Sequence, residues 1–138
     1  MQQLARSVIA LALLTLVFPG AATSTEEVTL EGSFVWAREE GDLGGDLKAV
    51  MTPDGENSWK IAFHFVWEEQ PHIYTGTATG SLTDGVLEGK AINDSKERPR
   101  TYRFSGTFED GTFTGTHALI RKDGTERDSG TLTLAHAP

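Results

Sequence analysis

The sequence predicts an all-β protein, a single antiparallel meander of about eight strands that closes into an up-and-down barrel. Eight stretches alternate apolar and polar residues with the period of two that is typical of strands, and none has a helical period. Turn-forming residues separate neighbouring stretches, and one hairpin sequence occurs twice. Short connections favour pairing of consecutive strands, and closure removes the exposed edges of a sheet. A two-sheet sandwich is the alternative architecture.

The predicted strands follow the alternating stretches in chain order. Clusters of Gly, Pro, Asp and Asn end each stretch, because these residues adopt the backbone conformations of turns more readily than others. The predicted strands are Val28–Arg38, Asp46–Thr52, Trp59–Trp67, Ile73–Thr83, Val86–Asn93, Tyr102–Glu109, Thr112–Ile120 and Ser129–Ala135.

The repeated hairpin occupies residues 80–89 and 106–115, and the two copies match at an offset of 26 residues. Each copy has an Asp-Gly pair at its centre, which is typical of a two-residue type I′ turn. With that turn in both copies, the apolar residues and glycines share one face, which is therefore the predicted interior. The predicted cross-strand pairs are Leu82 with Leu87, Gly80 with Gly89, Ala78 with Ala91, Phe108 with Phe113, Gly106 with Gly115 and Phe104 with His117.

The same alternation assigns interior positions on the other strands. We expect the inner glycines to permit the strong coiling of a small barrel and to leave room for rings from the first and third strands. The predicted interior residues are Leu30, Phe34, Trp36, Leu47, Ala49, Met51, Trp59, Ile61, Phe63, Phe65, Trp67, Leu132 and Leu134.

Residues 1–24 have the pattern of a secretory signal peptide. Arg6 precedes a predominantly apolar run from Val8 to Phe18, and small residues follow it. The run is shorter than the roughly 20 residues of a membrane-spanning helix, so no membrane span is predicted. The sequence therefore predicts a secreted or periplasmic protein whose single barrel domain comprises residues 25–138.

Composition restricts the classes of partner. The chain has 20 acidic and 12 basic residues, a formal net charge of −8, and no cysteine. An acidic surface repels nucleic acid and anionic membranes, so no nucleic-acid partner is predicted. Without disulfides, packing alone must stabilise the exported domain.

The two ends of the predicted barrel differ. One end has the short turns at 53–55, 84–85 and 110–111, whereas the other has longer, charged loops at 39–45, 68–71, 94–100 and 121–127. Five interior residues that could contact a ligand lie near the loop-rich end: Trp36, Trp67, Tyr74, Tyr102 and His117. They predict a site for a small apolar or aromatic molecule, because such sites are apolar clefts with a few polar groups.

His117 is a titratable side chain at a predicted interior position. The first hairpin copy has Ala91 at the corresponding position. His117 is either a core histidine or a polar anchor for a ligand, and a hydroxyl of Tyr74 or Tyr102 is the expected partner of its ring. His64 and Glu68 are about 13 Å apart on an extended strand, too far to bind one ion. No metal or cofactor is predicted.

Catalytic signatures are few. The chain has no cysteine nucleophile, no serine in a nucleophile elbow and no glycine-rich loop that begins a helix. A non-catalytic binding protein is therefore the first hypothesis. A structural or interaction module with a solid core is the second, and an enzyme of unknown reaction is the third. The second hypothesis expects an apolar outer patch formed by residues such as Val35, Val50, Val66, Ile73 and Ile92.

The eight-strand meander resembles lipocalin-like and avidin-like barrels in architecture. The Gly-x-Trp opening that is typical of lipocalins is absent, and Gly32, Ser33 and Phe34 match only its glycine. The resemblance implies a barrel, and it implies no function because one architecture supports many.

Overall fold

The computed structural model describes residues 26–38 and 41–138. Eight antiparallel strands form one closed barrel in which each strand pairs with the next and the last pairs with the first. The predicted up-and-down barrel is confirmed. The predicted signal peptide and the acidic residues at 39–40 lie outside the described part of the chain. Within that part, no helix has the length and apolar character needed to cross a membrane.

Most strands lie where the alternation predicts them, and the largest differences are at strand ends. β2 and β8 each begin earlier than expected, because Gly44 and Gly45 continue the pairing with β1 and residues 126–127 continue the pairing with β7. The strands are β1 Val28–Trp36, β2 Leu43–Pro53, β3 Ser58–Trp67, β4 Gln70–Gly80, β5 Gly85–Asn93, β6 Thr101–Glu109, β7 Thr112–Ile120 and β8 Glu126–His136.

The predicted interior face is confirmed. Every residue assigned to it on β1, β2, β3 and β8 is either buried or packed against the buried core. The largest fully buried side chains belong to Phe108, Phe113, Leu30, Met51 and Leu87. Two of these five, Phe108 and Phe113, belong to the second hairpin copy.

The inner glycines make room for a ring, but not for the rings that were expected. A Cβ atom would lie 2.6 Å from the Phe113 ring if added at Gly106, and 2.9 Å from it if added at Gly115. The ring therefore comes from β7 of the same hairpin and not from the first or third strand. The pair of glycines forms the surface on which Phe113 packs.

The two hairpin copies fold differently. In the second copy Phe108 pairs with Phe113 and Gly106 with Gly115, as predicted. The predicted register of the first copy is wrong, because Gly80 pairs with Leu87 and Ala78 with Gly89. Its connection spans residues 81–84. The displacement equals two residues, so each strand residue keeps its predicted face.

Local hydrogen bonds and the burial of Leu82 explain the longer connection. The Ser81 hydroxyl oxygen accepts hydrogen bonds from the backbone N–H groups of Thr83 and Asp84, both at 3.0 Å. Leu82 is 4% exposed, and its carbonyl oxygen accepts a 2.7 Å hydrogen bond from His136 Nε2. The loop therefore buries an apolar side chain at the closed end of the barrel.

The connection between β3 and β4 is shorter than predicted. Glu68 and Glu69 form a two-residue turn with positive φ angles of 52° and 66°. Such angles are favourable for glycine and costly for glutamate. Pro71 therefore lies in β4 opposite Val66 and not in a loop. As a result, His72 shares the interior face with Tyr74.

Candidate functional site

Aromatic rings line the open half of the barrel on the side formed by β1 and β3. The ring centroids of Trp36 and Trp67 are 4.6 Å apart, and those of Phe34 and Trp36 are 5.1 Å apart. Phe34 also contacts Phe65 with a centroid distance of 5.2 Å. All three pairs have the edge-to-face arrangement that favours contact between aromatic rings.

Gly45 allows rings from β1 and β3 to meet across β2. It lies opposite Phe34 in the β1–β2 pairing, and a Cβ atom built on it would be 3.5 Å from the Phe34 ring. Since β2 has no side chain at this level, the Phe34 ring extends over the strand to Phe65. This glycine, which the sequence pattern left in a loop, thus positions an aromatic pair.

The ring contacts continue around the barrel to His117. The centroid distances are 5.4 Å from Phe65 to Tyr74, 5.6 Å from Tyr74 to Tyr102 and 6.1 Å from Tyr102 to His117. His72 stacks on Phe65 at 5.3 Å with an interplanar angle of 17°. We call this connected set the mouth cluster: Phe34, Trp36, Phe65, Trp67, His72, Tyr74, Tyr102 and His117.

The mouth cluster borders an apolar cavity of about 70 Å³. Its volume is about half that of a 150 Å³ apolar cavity that binds benzene, and far below the roughly 300 Å³ of a typical ligand pocket. The cavity can therefore hold only part of a ring-sized molecule, and the rest must lie toward the mouth. Its lining residues are Phe34, Trp36, Leu47, Phe63, Phe65, Tyr74, Ala91, Tyr102, Arg103, Phe104, His117 and Leu132.

Four of the five predicted site residues line this cavity, namely Trp36, Tyr74, Tyr102 and His117. Trp67 is not among the lining residues, but its ring packs edge-on against Trp36. The prediction did not place Phe34, Phe65 or His72 at the site. The alternation had already placed both phenylalanines inside, whereas the wrong length of the 68–71 loop left His72 outside the strand.

His117 crosses the barrel seam to reach its hydrogen-bond partner. Its Nε2 atom is 3.0 Å from the carbonyl oxygen of Val35 on β1, and the side chain is 6% exposed. A carbonyl oxygen only accepts hydrogen bonds, so Nε2 must carry the proton. The expectation of a tyrosine partner is wrong, because pairing of β1 with β8 brings a backbone acceptor closer to the ring.

The second ring nitrogen of His117 has no protein partner in the described residues. Burial lowers the pKa of His117, and the Val35 hydrogen bond offsets only part of that effect. Near pH 7 the ring is therefore neutral, with Nδ1 unprotonated and able to accept a hydrogen bond. No described group donates a hydrogen bond to this atom, although the ring lines the cavity.

Both tyrosines of the mouth cluster keep their phenolic protons at neutral pH. Burial raises the pKa of Tyr102 to about 12, and the nearby hydroxyl of Tyr74 and carboxylate of Asp128 contribute. Burial also raises the pKa of Tyr74, against the opposing charge of Arg100. Neither hydroxyl forms a hydrogen bond with another residue in the described ranges. Each can therefore donate to or accept from a bound molecule.

An irregularity in β8 shapes the mouth beside His117. His117 pairs with Gly130, but Leu119 pairs with Arg127, so β8 has one extra residue between these pairs. Asp128 lies there with a positive φ of 52°. Bulges of this kind redirect side chains near the rims of barrels. Here the bulge brings the Asp128 carboxylate within electrostatic reach of Tyr102.

A salt bridge braces the outer surface behind the cavity. Arg103 Nη2 donates a 2.8 Å hydrogen bond to Glu126 Oε1, and Arg103 Nη1 donates to the Thr116 hydroxyl at 3.2 Å. The guanidinium of Arg103 is therefore engaged outside the barrel, across β6, β7 and β8. It connects the bulged end of β8 to its neighbours.

The two histidines of the 64–72 segment lie on opposite sides of the sheet. His64 is on the outer face between the inward residues Phe63 and Phe65, whereas His72 stacks on Phe65 inside. In the ranges 26–38 and 41–138, no three His, Asp or Glu side chains are grouped as metal ligands.

Replacing Gly130 by alanine should disrupt the hydrogen bond between His117 and the Val35 carbonyl. A Cβ atom there would overlap the Val35 carbonyl oxygen and lie 2.8 Å from His117 Nε2. We expect G130A to lower the free energy of unfolding by about 2–3 kcal/mol, because backbone on both sides must move. Urea denaturation measures the change. T131A, at an exposed neighbouring position, is the control, and equal stability of the two variants would contradict this role of Gly130.

The lowered pKa of His117 should make stability depend on pH. The unfolded ring has a pKa of about 6.5, so below that value the unfolded state binds a proton that the native state resists. The neutral ring contributes to the free energy of unfolding in full above about pH 6.5, and this contribution is lost as the pH falls below that value. We expect the wild type to lose more stability than H117F between about pH 7.5 and pH 5. Urea denaturation at both pH values tests this, and parallel losses would contradict it.

No family model, curated protein or solved structure matches this chain. The structure shows an eight-stranded closed barrel, and the comparisons assign it to no family. Since architecture does not carry function, the functional argument rests on this chain's own residues. Its strongest element is an apolar cavity with one buried acceptor that has no described partner.

Proposed function

We propose that this protein is an exported, non-catalytic barrel that binds a small apolar or aromatic molecule at its loop-rich mouth. The observation that carries the proposal is the cavity beside His117, which the mouth cluster borders. The apolar signal-like segment at residues 1–24 supports export to the periplasm or the cell exterior.

The character of the lining favours an apolar ligand. Most of the cavity wall consists of aromatic and aliphatic side chains, with His117 and two tyrosines as the polar groups inside the barrel. Removing apolar surface from water stabilises a complex by about 25 cal/mol per Å². Contacts with aromatic rings add about 0.5–1.5 kcal/mol per pair.

The size of the cavity restricts how the ligand is held. At about 70 Å³ it accepts one edge of a ring, while Trp36 and Trp67 cover the part that remains near the mouth. For a molecule of indole size we then expect a favourable binding free energy of about 4–6 kcal/mol, which corresponds to a Kd of about 0.05–1 mM.

Binding is favoured over catalysis by the state of the titratable groups. A general acid or base works best with a pKa near the working pH. Burial moves the pKa of Tyr102 to about 12, and Nε2 of His117 is engaged by the Val35 carbonyl. These groups are suited to hold a molecule in place and poorly suited to exchange protons with it at neutral pH.

Titration with indole should change the environment of two of the three tryptophans. Trp36 and Trp67 lie at the mouth, whereas Trp59 donates a hydrogen bond to the Gly80 carbonyl near the closed end. Since indole itself fluoresces, chemical-shift changes of the tryptophan indole N–H signals are the measurement. We expect shifts at Trp36 and Trp67 with a Kd of about 0.05–1 mM, and none at Trp59.

Filling the cavity should abolish this response. Ala91 lines the cavity and is 2% exposed, so A91L places three further carbon-bearing groups into it. V86L, on the outer surface at 57% exposure, is the matched control and should bind as the wild type does. A folded wild type that shows no saturable shift, or an A91L variant that binds equally well, would contradict the proposal.

A contact surface for a second copy of this chain is the second candidate function. Val66, Ile73 and Ile92 point outward and are 62%, 41% and 47% exposed. Val66 faces Pro71 across β3 and β4. Ile92 lies opposite Thr75, which is two residues from Ile73 on the same face of β4. Contiguous exposed apolar residues of this kind are typical of interaction surfaces.

Sedimentation of the purified protein tests the contact surface. We expect a concentration-dependent dimer that the double variant V66S/I73S converts to a monomer, because the substitutions remove apolar contact area. V86S changes an equally exposed valine at the other end of the barrel and should leave the dimer unchanged. A monomer at every concentration would eliminate this candidate and leave the ligand proposal unaffected.

A further inference from the structure

We propose that the mouth holds the carboxylate of an aromatic acid between Arg38 and Arg100, while the ring of that acid enters the cavity. This inference rests on the proposed binding function and specifies the class of molecule bound. It follows from where the two arginines stand on their strands, from the loop that holds one of them and from the charges near the tyrosines of the mouth cluster.

Arg100 continues the inner face of β6 at the mouth. Tyr74 pairs with Asn93, and the backbone N–H of Asn93 donates a 3.2 Å hydrogen bond to the carbonyl oxygen of Arg100. Arg100 precedes the cavity-lining Tyr102 by two residues, and residues two apart on a strand share a face. The register therefore places Arg100 in the mouth-side row of Tyr74, one level above Tyr102.

Hydrogen bonds of the Asn93 side chain hold the backbone of Arg100 in this position. Asn93 Oδ1 accepts a 2.9 Å hydrogen bond from the backbone N–H of Arg100, and Asn93 Nδ2 donates at 3.1 Å to the carbonyl oxygen of Arg98. The backbone N–H of Arg98 donates to the Ser95 hydroxyl oxygen at 3.1 Å. The loop at 94–100 is thus ordered before a ligand arrives, which lowers the entropic cost of binding.

Arg38 stands above the cavity on the side of β1. Its guanidinium carbon is 5.7 Å from the centroid of the Trp36 ring, which lines the cavity. The pairing of β1 with β8 continues past Trp36, because the Ala37 N–H donates to the Ser129 carbonyl at 3.1 Å. Arg38 therefore follows Trp36 on the same side of an extended chain. Since β7 and β8 separate β1 from β6, Arg38 and Arg100 approach the mouth from different sides.

The positive charge of both arginines acts on the tyrosines of the mouth cluster. Burial raises the pKa of Tyr74 and of Tyr102, and the charge of Arg100 opposes this rise in both. The charge of Arg38 opposes it at Tyr102 as well. The two guanidinium groups therefore lie near the same phenolic hydroxyl, as the register and the Trp36 contact require.

The acidic groups at the mouth do not cancel this charge. Asp94 and Asp128 are the carboxylates that raise the pKa of the two tyrosines after burial. Asp128 Oδ2 is 3.6 Å from Arg127 Nε, so its charge is already partly neutralised. The ion pairs formed by residues 26–38 and 41–138 involve neither Arg38 nor Arg100. Both guanidinium groups are therefore available to an anion.

A carboxylate suits the donors at this level. A guanidinium group only donates hydrogen bonds, and its planar fork matches the two oxygens of a carboxylate. The hydroxyls of Tyr74 and Tyr102 can donate to it as well. Arg100 is about 6–7 Å above Tyr102, at about 3.3 Å per residue. A chain of about two carbons should therefore join the carboxylate to the ring in the cavity.

A carboxylate and its neutral amide test the inference. 3-Phenylpropionate and 3-phenylpropanamide share ring and chain but differ in charge. From the indole N–H shifts of Trp36, the carboxylate should bind the wild type about 3- to 10-fold more tightly than the amide. R38Q/R100Q should reduce this ratio to about one or below, because the remaining net charge repels the anion. About 1 M NaCl should also reduce it in the wild type.

K60Q/K90Q is the matched control. It removes the same charge at two exposed positions on the outer face and should retain the wild-type ratio. If it lowers the ratio as much as R38Q/R100Q does, or if R38Q/R100Q keeps the wild-type ratio, the role of the two arginines is wrong.

The affinities of the wild type separate this inference from the proposal beneath it. If both probes bind equally well, or if indole binds and neither probe does, the aromatic-acid inference is wrong and the binding function remains. If neither probe nor indole binds to the folded wild type, the binding function itself fails.

A measurement on the wild type covers the case in which R38Q/R100Q does not fold, which circular dichroism establishes. With ¹⁵N-labelled arginine, the Nε–H signals of Arg38 and Arg100 should shift when 3-phenylpropionate binds and should shift less with 3-phenylpropanamide. The signal of Arg103, which is engaged with Glu126, is the internal control. Equal shifts of Arg38 and Arg100 with the two probes would overturn the inference.

Discussion

Closure of the sheet between β1 and β8 is the constraint on which the rest of the structure depends. The other strand pairs join neighbours in sequence, but Leu30 of β1 pairs with His136 at the far end of the chain. Such a long-range contact carries a large entropic cost until the intervening strands are in place. The same closure brings the Val35 carbonyl to His117 and requires Gly130 between them. Fold and candidate site thus share one seam.

The alternation of inward and outward residues gives a filled interior in the closed half of the barrel and a cavity in the open half. In the closed half, Phe108 and Phe113 are fully buried, and Gly106 and Gly115 provide the space for Phe113. In the open half, large rings on several strands contact each other edge to face around the wall. Rings arranged around a wall leave a space at its centre, and this is the origin of the cavity.

Periodicity predicted the strands and their inner faces because both depend on local properties of the chain. Turn chemistry predicted the register at Asp110 and Gly111 for the same reason. It failed at residues 81–84, where burial of Leu82 and the hydrogen bonds of Ser81 favour a longer loop. It also failed at Glu68 and Glu69, which adopt angles that their residue type disfavours.

The features of the site that escaped prediction are those that depend on closure. The alternation placed His117 inside, but its partner on β1 is 82 residues away in sequence and is a backbone group that no side-chain pattern signals. The cavity volume depends on how several rings tilt against each other, which single positions do not encode. Residue types therefore identified the lining, while the barrel seam determines its geometry.

Backbone strain is concentrated at the mouth in residue types that bear it poorly. Asn57 and Asp110 have positive φ angles in turns of the closed end, and these types tolerate such angles. Glu68 and Glu69 at the mouth have no such tolerance. Strain persists where the surrounding structure enforces it, and it is common at binding sites. Here the strained turn brings His72 onto Phe65 and completes the mouth cluster. The strain therefore positions a residue of the candidate site and does not contribute to packing of the core.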